Sequence, residues 1–325
     1  MEFWEGKRVT VTGGDGFVGS HLVEMLLAQG AQVSVATLGP LRNLAHVKEK
    51  IALKQVDLRE VDAAKSVFAD AEVVMHLAGL VRGVGFNALH PATMISENVR
   101  INASVIEAAR QTEGLDRLMF TSSACGYPLE AAIPLREEDF FKGTPEPSNA
   151  PYGWSKRLGE IECETFAKEF GMKIAIVRPF NSYGPRDNFN PSESHVIPAL
   201  VRRAVARESP YTVWGSGKAT RAFIYVKDLA RGMMLACEKH AVCDAVNLGM
   251  DVETSISELV QGVLNAAGYG DANLVFDSSK PEGQPRRSAS IEKAKATIGF
   301  VPQTSLEEGL KETVAWYRQN KERFK

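Results

Sequence analysis

Five side chains near the middle of the chain have types and spacing that could move protons at an oxygen and at a carbon: Ser123, Cys125, Tyr152, Lys156 and His195. Tyr152 and Lys156 are four apart in Tyr152-Gly153-Trp154-Ser155-Lys156, so a helix would put them on one face. A tyrosine titrates near ~10, too high for easy proton exchange at neutral pH, and a neighbouring ammonium favours its phenolate. Ser123 could hydrogen-bond the same substrate oxygen. Cys125 stands two residues beyond Ser123, and His195 lies in Pro191-Ser192-Glu193-Ser194-His195-Val196-Ile197-Pro198. A thiol near ~8.5 needs a positive neighbour to act as thiolate, whereas a histidine near ~6.5 suits proton exchange. Taken singly, Cys125 reads as a small core residue and His195 as a structural one. Taken with the hydroxyl set, they point to proton traffic at carbon beside hydride chemistry.

The elements that must position these groups alternate apolar runs with helix-period segments, the pattern of a doubly wound parallel sheet. Strands are expected at 9–12, 32–36, 51–56, 73–77, 117–121 and 174–178. Helices are expected at 16–29, 94–110 and 152–170. The runs 223–226 and 245–248 read as strands returning to the first lobe. The fold class is therefore α/β, a Rossmann-type doubly wound sheet with a smaller mixed α/β C-terminal lobe. Residues 1–180, with returning segments in 222–248, form the dinucleotide-binding domain. Residues 181–221 and 249–325 form the substrate lobe, where prolines at 179, 185, 191 and 198 punctuate a loop-rich stretch. Two helices are expected there, at 257–267 and 306–319. The charged tail 320–325 reads as a frayed helix end.

Gly13, Gly16 and Gly19 follow the first strand and open a helix, the context in which glycines let backbone approach a pyrophosphate. Phe17 and Val18 would lend amides of the helix N-terminus. The second strand ends at Val35-Ala36-Thr37-Leu38-Gly39-Pro40-Leu41-Arg42, with no acid to meet a bare ribose. Thr37 removes repulsion against a 2′-phosphate, and Arg42 either pairs with one or is a solvated loop charge. This favours NADP over NAD. Asp57 and Leu58 could border the adenine.

The bulk numbers exclude other classes. The 325 residues are 44% hydrophobic and 24% charged, with a formal net charge of −2. No long basic run speaks for nucleic acid or an anionic membrane, and no apolar run approaches spanning length. Cys125, Cys163, Cys237 and Cys243 match no zinc spacing and no disulfide framework, so they read as reduced thiols and no metal is expected. With no signal-peptide layout at the N-terminus, a cytoplasmic location is expected.

At these residues the chain resembles the extended short-chain dehydrogenase/reductase family of nucleotide-sugar epimerases, dehydratases and reductases. The likeness runs through Gly13–Gly19, Leu77-Ala78-Gly79, Ser122-Ser123, Tyr152–Lys156, Arg178–Pro185 and Arg221–Asp228. It implies that Ser123, Tyr152 and Lys156 are the catalytic triad, that Leu77 and Ala78 line the cofactor, and that Asn181 lies near the nicotinamide end. The segment Ser122–Pro128, with Gly83–Asn87, looks like the branch holding GDP-L-fucose synthases and GDP-mannose 3,5-epimerases. His195 is similar to the former, which use the corresponding cysteine and histidine as base and acid; the latter carry a lysine there. That resemblance implies NADP-dependent 3,5-epimerisation and C4 reduction of a GDP-4-keto-6-deoxy-hexose. The alternative is a GDP-sugar 3,5-epimerase or 4-epimerase that recycles bound NAD without net reduction. It also implies substrate contacts at Arg203, Trp214 and Arg221 and a nucleotide-side loop from Lys280 to Arg286. Trp214 reads equally well as a core anchor. Many relatives pair as homodimers through the two long helices.

Overall fold

The protein is described by a computed structural model over residues 3–191, 193–280 and 284–324. Ser192, Pro281–Gly283 and Lys325, named above within longer runs, lie outside the described residues.

Six short strands alternate with helices: β1 (Arg8–Thr12), β2 (Gln32–Thr37), β3 (Ile51–Gln55), β4 (Val73–His76), β5 (Arg117–Thr121) and β6 (Ile174–Pro179). Val246–Leu248 completes a seven-stranded sheet beside β6. Each pairing is parallel, and the order from that edge is Val246–Leu248, β6, β5, β4, β1, β2, β3. The inner strands β4, β5 and β6 are apolar on both sides because both faces are covered, whereas the edge strand β3 is largely exposed. Val33, Val35, Val73, Met75, Met119, Ala175 and Val177 face α1 (Phe17–Ala28) and, later in the chain, the helix Val226–Lys239. Their alternates Val74, Leu118, Phe120, Ile174 and Ile176 face α2 (Val61–Phe68), then, beyond the short α3 (Val84–Leu89), α4 (Pro91–Arg110) and α5 (Ala150–Phe170). Strand order reverses between β1 and β4, which opens a crevice at the carboxyl edge.

A second apolar cluster joins α6 (Val196–Val205), α8 (Ile256–Ala266) and α10 (Leu306–Asn320). Between the last two, α9 (Glu292–Ile298) packs back on the sheet through Ala294, Ile298 and Phe300. The chain thus revisits the first lobe again within 249–325.

Three expectations change. Phe223–Val226 does not enter the large sheet: Ile224-Tyr225 pairs with Ser182-Tyr183, and α7 (Val226–Lys239) begins at once. The proline-punctuated stretch holds α6, which opens directly after His195. Pro198 sits in its first turn, where a missing N–H goes unmissed. The tail is not frayed: Lys321–Phe324 forms a 3-10 turn, and Phe324 packs against Phe189, Trp316 and Tyr317. No helix of the described residues is long and apolar enough to cross a membrane.

Candidate active site

The turn from β1 to α1 is tight. Gly13 has φ +67°, and a Cβ there would stand 2.9 Å from the Ala78 amide nitrogen. A Cβ on Gly19 would lie 2.3 Å from the Gly13 carbonyl oxygen. The turn therefore touches the exit of β4, where the Thr12 hydroxyl accepts the N–H groups of Leu77 and Ala78 at 3.1 Å each. Gly16 is the N-cap of α1, with no side chain on the cap and no acid in the first turn. In contrast, α8 and α10 each close their N-terminus with a serine–glutamate capping box. The amides of Phe17, Val18 and Gly19 are thus left toward an anion, and the residues present fit a dinucleotide pyrophosphate.

At the end of β2, Thr37 pairs with Gln55 and Arg42 is exposed. Asp15 organises the intervening loop: its carboxylate accepts the N–H groups of Arg42, Asn43 and Leu44 at 2.7, 3.0 and 2.9 Å. Asp57, expected near the adenine, is committed to Arg59, and Leu58 is buried in the core.

Beyond this crevice lies a cleft of about 340 Å³. Ser123, Cys125, Tyr152, Asn181, His195 and Arg221 all line it. Ser123 lies two residues beyond the end of β5 and caps a short 3-10 turn, its Oγ accepting the Cys125 N–H at 3.1 Å. Gly153 explains how Tyr152 comes so near: a Cβ there would stand 2.4 Å from the Cys125 carbonyl oxygen. Asn181 donates its amide to the Ala222 carbonyl at 2.9 Å.

Burial pushes the Tyr152 phenol up, the neighbouring Cys125 adds to that, and the hydrogen bond with Ser123 pulls it down. The Lys156 ammonium lies 5.6 Å from the Tyr152 ring centroid and donates to the Thr121 carbonyl at 2.8 Å. The expected lowering of the tyrosine by the lysine is not realised in this arrangement, in which the ammonium is committed to the Thr121 carbonyl and burial sets the direction for Tyr152. Burial also lowers Lys156 to about 8, partly offset by Cys163, Cys125 and Glu160. His195 stands at the N-cap of α6, open to the cleft yet crowded by protein, and that desolvation holds it below the usual histidine value.

Of the expected substrate contacts, only Arg221 reaches this cleft. Arg203 is turned to Glu208 and to the Thr212 carbonyl, at 2.7 and 2.5 Å, over the Tyr211 ring. Trp214 is 65% exposed, which rules out the core-anchor reading, and Lys280 is also exposed away from the cleft. Arg286 is bound to Glu253. Its neighbour Arg287 takes the place expected of it. The strand Arg286–Arg287 runs parallel to Thr220–Arg221 with Arg287 opposite Arg221, and both arginines line the cleft. Side chains alternate along a strand, so Thr220 and Arg286 face the other way, where Glu253 binds both and Ser288 besides. Arg287 also donates to the Ala124 carbonyl at 2.8 Å, bringing a cation beside Cys125. Sequence reasoning missed Arg287, Arg82, Asn87 and Asn149 as cleft residues. The Arg286-Arg287 doublet was the one signal available, and only the strand pairing fixes which member points inward.

Comparison with known proteins bears on this geometry. The model of the NAD dependent epimerase/dehydratase family matches residues 9–249. A GDP-L-fucose synthase of Escherichia coli (strain K12) is 35% identical over 98% of this chain and 99% of its own length. A dTDP-4-dehydro-6-deoxy-D-allose reductase of a Streptomyces species is 31% identical, covering 98% of each. Among solved structures, a GDP-L-fucose synthetase from Naegleria fowleri bound to NADP superposes with a TM-score of 0.84 at 26% identity, covering 98% of this chain and 96% of that one. UDP-glucose 4-epimerase from Thermotoga maritima gives 0.85 at 28%, covering 96% and 99%.

Proposed function

The chain belongs to the NAD-dependent epimerase/dehydratase family, and from that premise we propose that it epimerises a GDP-4-keto-6-deoxy-hexose at C3 and C5 and reduces it at C4 with NADPH. The observation that carries this reading is the single cleft that Ser123, Cys125, Tyr152 and His195 share. A hydrogen on a sugar carbon becomes acidic only beside a carbonyl. A ketone at C4 activates both C3 and C5, and the enolate can take a proton back on its other face. Cys125 as thiolate removes the proton, and His195 as imidazolium returns one. Lys156 and Arg287 are the cations near Cys125. Bound nicotinamide supplies the hydride for C4. Tyr152 then gives its proton to the new alkoxide, with Ser123 holding that oxygen. Arg221 and Arg287, side by side, suit a diphosphate, because each guanidinium can bind two oxygens at once.

NADP is preferred to NAD because β2 ends at Thr37 without an acid and Arg42 stands exposed beyond it. A homodimer through α4 and α5 agrees with Trp154, Leu158 and Ile161, half-exposed at helical spacing on α5.

Incubation with the keto-sugar and NADPH in D2O tests the reading. Deuterium should enter C3 and C5 while NADPH is consumed stoichiometrically. Cys125→Ser should stop the exchange, and Tyr152→Phe should stop reduction while exchange continues. Turnover without net NADPH consumption would replace the reading by a recycling epimerase. Reduction with no exchange would remove Cys125 and His195 from the chemistry.

A further inference from the structure

Arg42 has both of its backbone polar groups taken by side chains far away in sequence. Its N–H donates to Asp15 Oδ2 at 2.7 Å, and its carbonyl accepts from Arg323 Nη2 at 2.9 Å, across 281 positions of chain. Asn43 adds a bond from its side-chain amide to the Asp15 carbonyl at 2.8 Å. The loop after β2 is thus gripped from the glycine turn on one side and from the C-terminal tail on the other. The tail is itself anchored. The Arg323 guanidinium also donates to Asn320 Oδ1 at 3.4 Å and lies 5.9 Å from the Trp316 ring. The next residue, Phe324, sits 5.4 Å from Phe189 and 6.1 Å from Trp316, ring centre to ring centre.

We propose that Arg323 is a positioning residue for the dinucleotide's adenosine end: by holding the Arg42 carbonyl it presents the Arg42 guanidinium to a 2′-phosphate. This rests on the reading that the cofactor is NADP. Two effects act in the same direction. An exposed loop loses conformational freedom when it closes on a ligand, and a loop already fixed at N–H and C=O loses less. Arg323 also brings a second positive charge to the backbone of the same loop, and a doubly charged phosphate bound there would feel both. An unphosphorylated ribose gains little from either, so the contribution is selective for the phosphate and not general to cofactor binding.

The experiment is a fluorescence titration of the full-length protein with NADPH and with NADH, on wild type, Arg42→Ala, Arg323→Ala and Arg323→Lys, with thermal melts of each. Arg323→Ala should weaken NADPH about tenfold, the scale of one hydrogen bond from a charged group. NADH affinity and melting temperature should be unchanged, because Phe324 keeps its packing. Arg323→Lys, still a cationic donor, should recover part of the loss. An equal loss for both cofactors, or a lowered melting temperature accounting for it, assigns Arg323 a purely structural role and overturns the proposal. If Arg42→Ala collapses the preference for NADPH and Arg323→Ala does not, the proposal fails while the NADP reading stands. If wild type shows no preference, the NADP reading fails and takes the proposal with it; if wild type prefers NADPH and Arg42→Ala leaves that preference intact, the NADP reading stands and the proposal fails, because Arg42 does not meet the phosphate.

Discussion

Lys156 holds a charge where the fold would rather have none. Burial lowers it from 10.5 to about 8. At about 1.4 kcal/mol per tenfold, keeping that ammonium protonated at pH 7 costs the folded state about 3 kcal/mol. Lys156→Met has similar length and no charge. It forfeits the 2.8 Å bond to the Thr121 carbonyl, a loss of about 1–2 kcal/mol. The remainder predicts a variant more stable at pH 7 by about 1–2 kcal/mol, or roughly 1–3 °C in melting temperature for a chain of this size. The sign with pH is also fixed. Between about 8 and 10.5 the unfolded lysine keeps its proton while the folded one has lost it, so the wild type gains stability as pH rises through that window. The advantage of Lys156→Met should therefore be widest below pH 8 and close toward 10.5. Urea denaturation of both proteins at several pH values measures the gap, and hydride transfer should fall by about 10²-fold or more in the variant. A variant less stable at neutral pH, or a gap indifferent to pH, would refute the argument that catalysis is bought with buried charge.

Other outcomes follow from single contacts. Because desolvation lowers His195, its proton-donating form should fade as pH rises through a value below the usual histidine range. Solvent-deuterium exchange should decline over that limb, and His195→Asn should flatten it; exchange that climbs instead would make His195 the base. Glu253 ties down Thr220, Arg286 and Ser288, behind the two strands that present Arg221 and Arg287. Glu253→Gln should raise the KM for nucleotide sugar several-fold, about 1 kcal/mol in binding, and leave kcat alone; a matching drop in kcat would contradict a role limited to ground-state binding. Leu158→Lys, in the exposed stripe of α5, should yield a monomer by analytical ultracentrifugation, and an unchanged mass would place any dimer contact elsewhere.

The sheet was legible because burial on both faces writes a coarse, local signal. Val33, Val35 and Met75 on one side and Val74, Leu118 and Phe120 on the other make continuous apolar runs that need no knowledge of partners. The hydroxyl and thiol groups of the cleft were legible for a related reason: Tyr152 and Lys156 owe their shared face to helical spacing alone, and Ser123 and Cys125 follow one strand end. The cleft arginines were not, because their placement depends on pairing. Whether Arg286 or Arg287 points inward turns on register against Thr220–Arg221, and a one-residue slip exchanges them. Arg203 had no local mark showing that Glu208 and the Thr212 carbonyl would claim it.

His195 joins the two cases. Its run looked like loop because Pro191 and Pro198 flank it, yet the second proline belongs to the first turn of α6, with His195 at the cap. That position fixes the backbone at the mouth of the cleft, with the ring open to the cleft on one side and crowded by protein on the other. A proton donor working at a substrate carbon, the role proposed for His195, would use that combination. The loop signal in sequence and the helix cap in structure are two views of one arrangement: a rigid base under a side chain that faces the cleft.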